Sequence, residues 1–227
     1  MTVSGPTRVK VCCIASVEEA RMAIAHGADA IGLVSEMPSG PGVIPETLIA
    51  EIAASVAPGI GTFLLTSRPT VDAIIDQQRR TGVNTIQVCD DLPAGALPEL
   101  RAALPGVSIV QVVHVDGDDA LDRARAWAPH VDAILLDSGN QKLAVKELGG
   151  TGRRHDWAIS RRIREGVGVP VYLAGGLTAA NVAEAVTTVG PFALDVCSGV
   201  RTAGRLDPAR LASFFAAVRA VRASGVC

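Results

Sequence analysis

Short, continuous apolar runs alternate along this chain with stretches whose apolar positions fall three and four apart. The first pattern is that of strands buried on both faces, and the second that of amphipathic helices. Strands are predicted at 9–14, 30–34, 61–65, 85–88, 108–115, 133–137, 171–174 and 193–196. Helices are predicted between them at 17–26, 45–55, 70–81, 94–103, 118–128, 156–165 and 179–189, with a last one at 207–223. Several open on good starters: Ser16, Ile44-Pro45, Arg68-Pro69-Thr70 and Asp207-Pro208. Eight strand–helix units in 227 residues predict an α/β chain folded as a (β/α)8 TIM barrel. The alternative is an open doubly wound sheet. Such a sheet usually carries a Gly-rich fingerprint after its first strand, where this chain has Cys12-Cys13-Ile14. Length alone fits one large domain or two small ones. No Pro/Ser/Gly-rich linker divides the chain, so 1–227 reads as one domain.

Two connections after strands are long: 35–44, with Pro-Ser-Gly-Pro-Gly, and 138–155, with Gly-Gly-Thr-Gly. Both fall at the C-terminal ends of strands, where barrels build their sites. Hydrophobic residues make up 48% and aromatics 3%, so Val, Ile, Leu and Ala must build the core. The net charge of −2 offers no basic field for nucleic acid or an anionic membrane. The five cysteines (Cys12, Cys13, Cys89, Cys197, Cys227) fit neither a disulfide framework nor a Cys-x-x-Cys metal site. They read as reduced thiols, with Cys227 a site of adventitious oxidation. No apolar run approaches membrane-spanning length and no signal peptide is evident, so a soluble, cytoplasmic protein is expected.

The first chemical signal is Val171-Tyr172-Leu173-Ala174-Gly175-Gly176, an apolar strand delivering bare backbone toward a helix start. Glycine lets backbone N–H groups close around a phosphate that a larger residue would hold off. The pattern recurs at the next strand, where Asp195 interrupts an apolar run that ends in Cys197-Ser198-Gly199. Two neighbouring strand ends with small residues predict one shared phosphate site. Cys12 and Asp137 stand at the ends of the first and sixth strands, where both could face the mouth of a barrel. A thiol and a carboxyl across a substrate can act as base and acid. Buried core filler and a loop cap are the structural alternatives.

Val9-Lys10-Val11-Cys12 resembles the opening of the phosphoribosylanthranilate isomerase family. So do Gly27-Ala28-Asp29-Ala30-Ile31-Gly32, Asp132–Asp137, Gly149-Gly150-Thr151-Gly152 with Asp156-Trp157, Leu173–Thr178 with Asn181-Val182, and Asp195–Val200. These segments run in order from the first strand to the last. The resemblance implies a barrel of the ribulose-phosphate-binding type and an Amadori rearrangement of N-(5-phosphoribosyl)anthranilate in tryptophan biosynthesis. It implies Cys12 as general base at C2 and Asp137 as general acid at the ring oxygen, with no metal or cofactor. Gly152, Gly175, Gly176, Ser198 and Gly199 would hold the phosphate and so fix the reacting carbon. The partner is then a small phosphosugar, and the family includes monomers and dimers.

Lys10, two residues before Cys12, should share its side of the strand. It biases the thiol toward thiolate, or it is a structural charge neutralised by Asp195. Gln87 at the fourth strand end orients substrate or bonds a loop. The chain also departs from the family pattern. Cys13 replaces a Gly, Ala15-Ser16 replaces a segment with Thr, Cys89-Asp90 stands for His-Gly, and Arg201 for Glu. Gly42 stands where the family has an Arg that grips the anthranilate carboxylate. Such a charge-assisted pair is worth about 1.5–3 kcal/mol, roughly ten- to a hundredfold in binding. Arg68, Arg201 and His114 are the candidate replacements. The competing readings are a paralogue that isomerises another phosphorylated sugar and a non-catalytic phosphosugar binder.

Overall fold

A computed structural model describes residues 6–139, 148 and 152–223. Eight parallel strands close into a barrel in the order of the sequence. They are β1 (Arg8–Val11), β2 (Ala30–Val34), β3 (Gly61–Thr66), β4 (Thr85–Val88), β5 (Ser108–His114), β6 (Ala133–Asp137), β7 (Val171–Leu173) and β8 (Ala193–Val196). β1 closes the ring against β8, with Lys10 opposite Asp195 and Val11 opposite Val196. The helices are α1 (Val17–His26), α2 (Glu46–Ser55), α3 (Val71–Thr81), α4 (Ala96–Ala103), α5 (Ala120–Trp127), α6 (Trp157–Gly166), α7 (Val182–Val189) and α8 (Pro208–Ala223). None among the described residues is long and apolar enough to cross a membrane.

The alternation of side chains along each strand divides the core in two. Val9, Val11, Ile31, Leu33, Ile134, Leu136, Leu194 and Val196 belong to the layer packed between barrel and helices. Cys12, Ala30, Val34, Phe63, Leu65, Val110, Val112, Ala133 and Leu135 form a second cluster inside the barrel. Both strand faces are therefore apolar, which is why the sequence shows runs rather than alternation.

Helix starts follow local chemistry. Ser16 accepts from Glu19 N at 3.2 Å, Thr70 from Ala73 N at 3.4 Å and Asp156 from Ala158 N at 2.8 Å. The predicted elements stand, with shifted ends. β1 stops at Val11 rather than residue 14, because Cys13 takes a left-handed φ of 61° that breaks the ladder. α7 begins at Val182 rather than 179, because Asn181 closes a turn first: its Oδ1 accepts from Thr178 N at 2.8 Å. Pro45 is the extended residue before α2, not its first turn, and α5 begins two residues late at Ala120. A small antiparallel hairpin, β9 (Arg201–Thr202) with β10 (Arg205–Leu206), was not predicted. Its tip, Ala203-Gly204, holds φ of 48° and 78°.

Candidate active site

A cavity opens at the C-terminal ends of the strands, and Cys12, Gln87, Asp137, Gly152, Gly175, Gly176, Asp195 and Ser198 all line it. Cys12 sits just past β1, its N–H bonded to Val196 O at 2.8 Å, and Asp137 is the last residue of β6. Strands β7 and β8 separate them around the ring. Both are buried, yet both reach the same space. Burial pushes the Asp137 carboxyl above its usual range, more than the Ser138 N–H at 2.7 Å and nearby His114 pull it down. A carboxyl so placed holds its proton longer, as an acid must.

Beneath Cys12 lies a buried polar centre. Lys10 Nζ donates to Asp195 Oδ2 at 2.8 Å, Gln87 Oε1 at 2.9 Å and Cys12 Sγ at 3.7 Å. Burial opposes the Lys10 charge, but Asp195 and then Cys12 outweigh it and hold the ammonium above the ordinary lysine range. Both readings of Lys10 thus have a counterpart in the geometry: it neutralises Asp195 and it touches the thiol. β4 turns the Gln87 side chain into the barrel, where its Oε1 accepts from Lys10, while its Nε2 donates to Cys89 Sγ in the loop after β4 at 3.7 Å. Asp195 Oδ1 is buried without a hydrogen-bond partner and borders the cavity.

The small residues lie close together. Gly176 packs on Gly152 O and the 153–154 backbone, and Gly152 faces Ser198 Oγ. A Cβ on Gly199 would run into the Leu177 carbonyl, so only glycine lets the loop after β8 lie against the loop after β7. Asn181 Nδ2 donates to Gly176 O at 2.9 Å and pins that loop. The sequence motif contains Asn181, but nothing in its pattern reveals this bracing role. Gly149, Gly150, Thr151 and Cys227 lie outside the described residues.

The three candidate cations have partners of their own. Arg68 is bound at the rim by Glu36 at 3.2 Å and Glu46 at 3.8 Å. Arg201 is committed to Glu19 at 3.1 Å and to the carbonyls of Cys12 and Cys13 at 3.2 and 2.5 Å. His114 is buried, with Nε2 3.3 Å from Cys89 O. None of the three lines the cavity, and among the described lining residues there is no cation. The walls include Val34, Met37, Leu65 and Leu148 instead. Among the described residues, no group of three or more His, Cys, Asp or Glu is placed to hold a metal ion.

A closed eight-stranded parallel barrel with its cavity at the C-terminal strand ends defines a (β/α)8 barrel of the kind that builds enzyme sites at that face. Residues 9–217 match the family described as N-(5'phosphoribosyl)anthranilate (PRA) isomerase. An N-(5'-phosphoribosyl)anthranilate isomerase of Haloferax volcanii is 42% identical over 218 residues, 95% of each chain. The phosphoribosyl anthranilate isomerase of Thermococcus kodakaraensis superposes with a TM-score of 0.78 at 32% identity, covering 94% of this chain and 99% of that one. The Thermotoga maritima enzyme gives 0.81 at 26% identity, covering 94% and 99%. The chain belongs to the phosphoribosylanthranilate isomerase family.

Proposed function

We propose that Cys12 and Asp137 are the base and acid of the reaction that this family membership assigns. The chain is an aldose–ketose isomerase for N-(5'-phosphoribosyl)anthranilate, a step of tryptophan biosynthesis. Asp137 protonates the ring oxygen while the anilino nitrogen lends its electron pair to C1, and the ring opens. Cys12 then takes the C2 proton, and the resulting enolamine settles to the 1-amino-1-deoxyketose. The observation that carries this reading is the shared cavity, with thiol, raised carboxyl and small-residue cradle opening into one space.

Gly152, Gly175, Gly176, Ser198 and Gly199 hold the phosphate, and Asp195 Oδ1 accepts from a sugar hydroxyl. Lys10 and Gln87 position Cys12 and Asp195 from below, and His114 acts through Asp137 rather than on substrate. The apolar walls take the anthranilate ring. The reading needs no cofactor: the substrate's nitrogen supplies the electrons. It treats 1–227 as one domain, working in the cytoplasm as monomer or homodimer, with neither nucleic acid nor membrane as partner.

The test follows the loss of anthranilate-type fluorescence as substrate is consumed. Asp137→Asn and Cys12→Ser should each lower kcat by about 10²–10⁴ with a smaller change in KM. The wild-type rate should fall as pH rises through the Asp137 pKa, because an ionised carboxylate has no proton to give. Unchanged kcat in either variant would overturn the assignment.

A further inference from the structure

Cys13 and Cys197 lie 184 residues apart in sequence, yet their sulfurs stand 2.8 Å apart at the mouth of the barrel. Both are free thiols, and both line the cavity. We propose that Cys13 and Cys197 form a peroxide-reactive dithiol, a modification site that closes to a disulfide across the seam between the first and last strands. The sulfurs need to approach by less than 1 Å to reach the roughly 2.05 Å of an S–S bond.

The backbone around the pair favours that closure. Cys13 is held at a left-handed φ of 61°, which projects its side chain toward the end of β8. Arg201 clasps the Cys12 and Cys13 carbonyls, so this segment is anchored to the chain that carries Cys197. The two thiols are also unequal. The hydrogen bond with Cys13, against burial and with help from Arg201, holds Cys197 below the ordinary thiol range. Hydrogen bonds with Cys12 and Cys197, then burial, push Cys13 well above it. Cys197 is also the more exposed of the two. It is the nucleophile, and Cys13 is the resolving thiol.

The steps balance with a hydroperoxide as oxidant. Cys197 sulfur attacks the peroxide, an S–O bond forms, the O–O bond breaks, and the departing oxygen leaves protonated as water or an alcohol. Cys13 sulfur then attacks Cys197 sulfur. The S–S bond forms, the S–O bond breaks, and hydroxide takes the Cys13 proton to leave as water. Two thiols are oxidised and one peroxide is reduced. A dithiol reverses the result. The bridged state fixes the immediate chain neighbours of the pair, Cys12 and Ser198.

The test treats the wild-type chain with hydrogen peroxide, blocks remaining thiols, and maps tryptic peptides by tandem mass spectrometry. Cleavage after Lys10, Arg21, Arg164 and Arg201 puts Cys12 and Cys13 in one peptide and Cys197 in another. The expected product is these two peptides joined, lighter by two hydrogens, with fragments placing the bond at Cys13 and with dithiothreitol separating them. Cys13→Ser and Cys197→Ser should each abolish it. Peroxide uptake with no such link, or a link to Cys197 that survives in Cys13→Ser, would overturn the proposal.

Discussion

Gly42 and Cys13 occupy one volume: a Cβ on Gly42 would stand 2.6 Å from the Cβ of Cys13. Gly42 is also at φ +80°, a conformation that L side chains rarely adopt. The two departures that the resemblance implies at these positions thus share one space. A side chain at 13, where the resemblance implies Gly, leaves no room for one at 42, where it implies Arg. Gly42→Arg alone should destabilise the chain by about 1–3 kcal/mol, the usual range for overpacking. Combined with Cys13→Gly it should recover much of that loss and lower KM for phosphoribosylanthranilate. Denaturant titration and steady-state kinetics of the two variants check this, and an additive outcome would separate the sites.

Lys10 carries the only positive charge that reaches Asp195 by a described salt bridge, and both are buried. Lys10→Met leaves that carboxylate uncompensated, and the loss should be about 3–5 kcal/mol. Urea unfolding measures it. Lys10→Met with Asp195→Asn should be less costly than Lys10→Met alone, since the stranded charge is then gone.

Gly199→Ala should separate phosphate binding from proton transfer. The added methyl meets the Leu177 carbonyl, so the loop after β8 must shift away from the loop after β7. Inhibition by inorganic phosphate should weaken at least tenfold and KM should rise, with kcat affected less. Equal phosphate inhibition in variant and wild type would remove Gly199 from the cradle.

His155 ties stability to pH. Burial, with Arg154 adding to it and Asp156 opposing, lowers its pKa from 6.5 to about 4. The unfolded chain therefore binds the proton first as pH falls, so the folded state loses stability between about 6.5 and about 4. The full effect is about 3 kcal/mol at about 1.36 kcal/mol per unit. His155→Gln retains a partner for Ser160, which His155 Nε2 meets at 2.7 Å. It should flatten the part of the acid limb that belongs to this residue, read as the difference between the two urea-unfolding series across pH.

The strand–helix order was legible because buried parallel strands and amphipathic helices impose distinct periods on the sequence. Cys12, Asp137 and the glycines after β7 were legible because each stands at a strand end, where the topology delivers it to one rim. Partnerships across the fold were not. Arg201 reads as a spare cation until Glu19 and two carbonyls are seen to claim it. Cys13 and Cys197 read as unrelated thiols, since no local pattern encodes a contact over 184 residues. The start of α7 was misplaced because a side-chain turn at Asn181 competes with the helix, and propensity does not register such a bond.

The seam between β1 and β8 also sets an order of events during synthesis. The N–H of Cys12 waits for Val196, and its carbonyl waits for Arg201, both made long after it on the ribosome. Glu19, at the start of α1, likewise waits for Arg201 and for the N–H of Leu206. A nascent chain halted before residue 196 already carries Cys12 and Asp137 but lacks the contacts of Val196 and Arg201 with the Cys12 backbone. The backbone contacts that join β1 to the last strand and hairpin are thus the last to be supplied by synthesis.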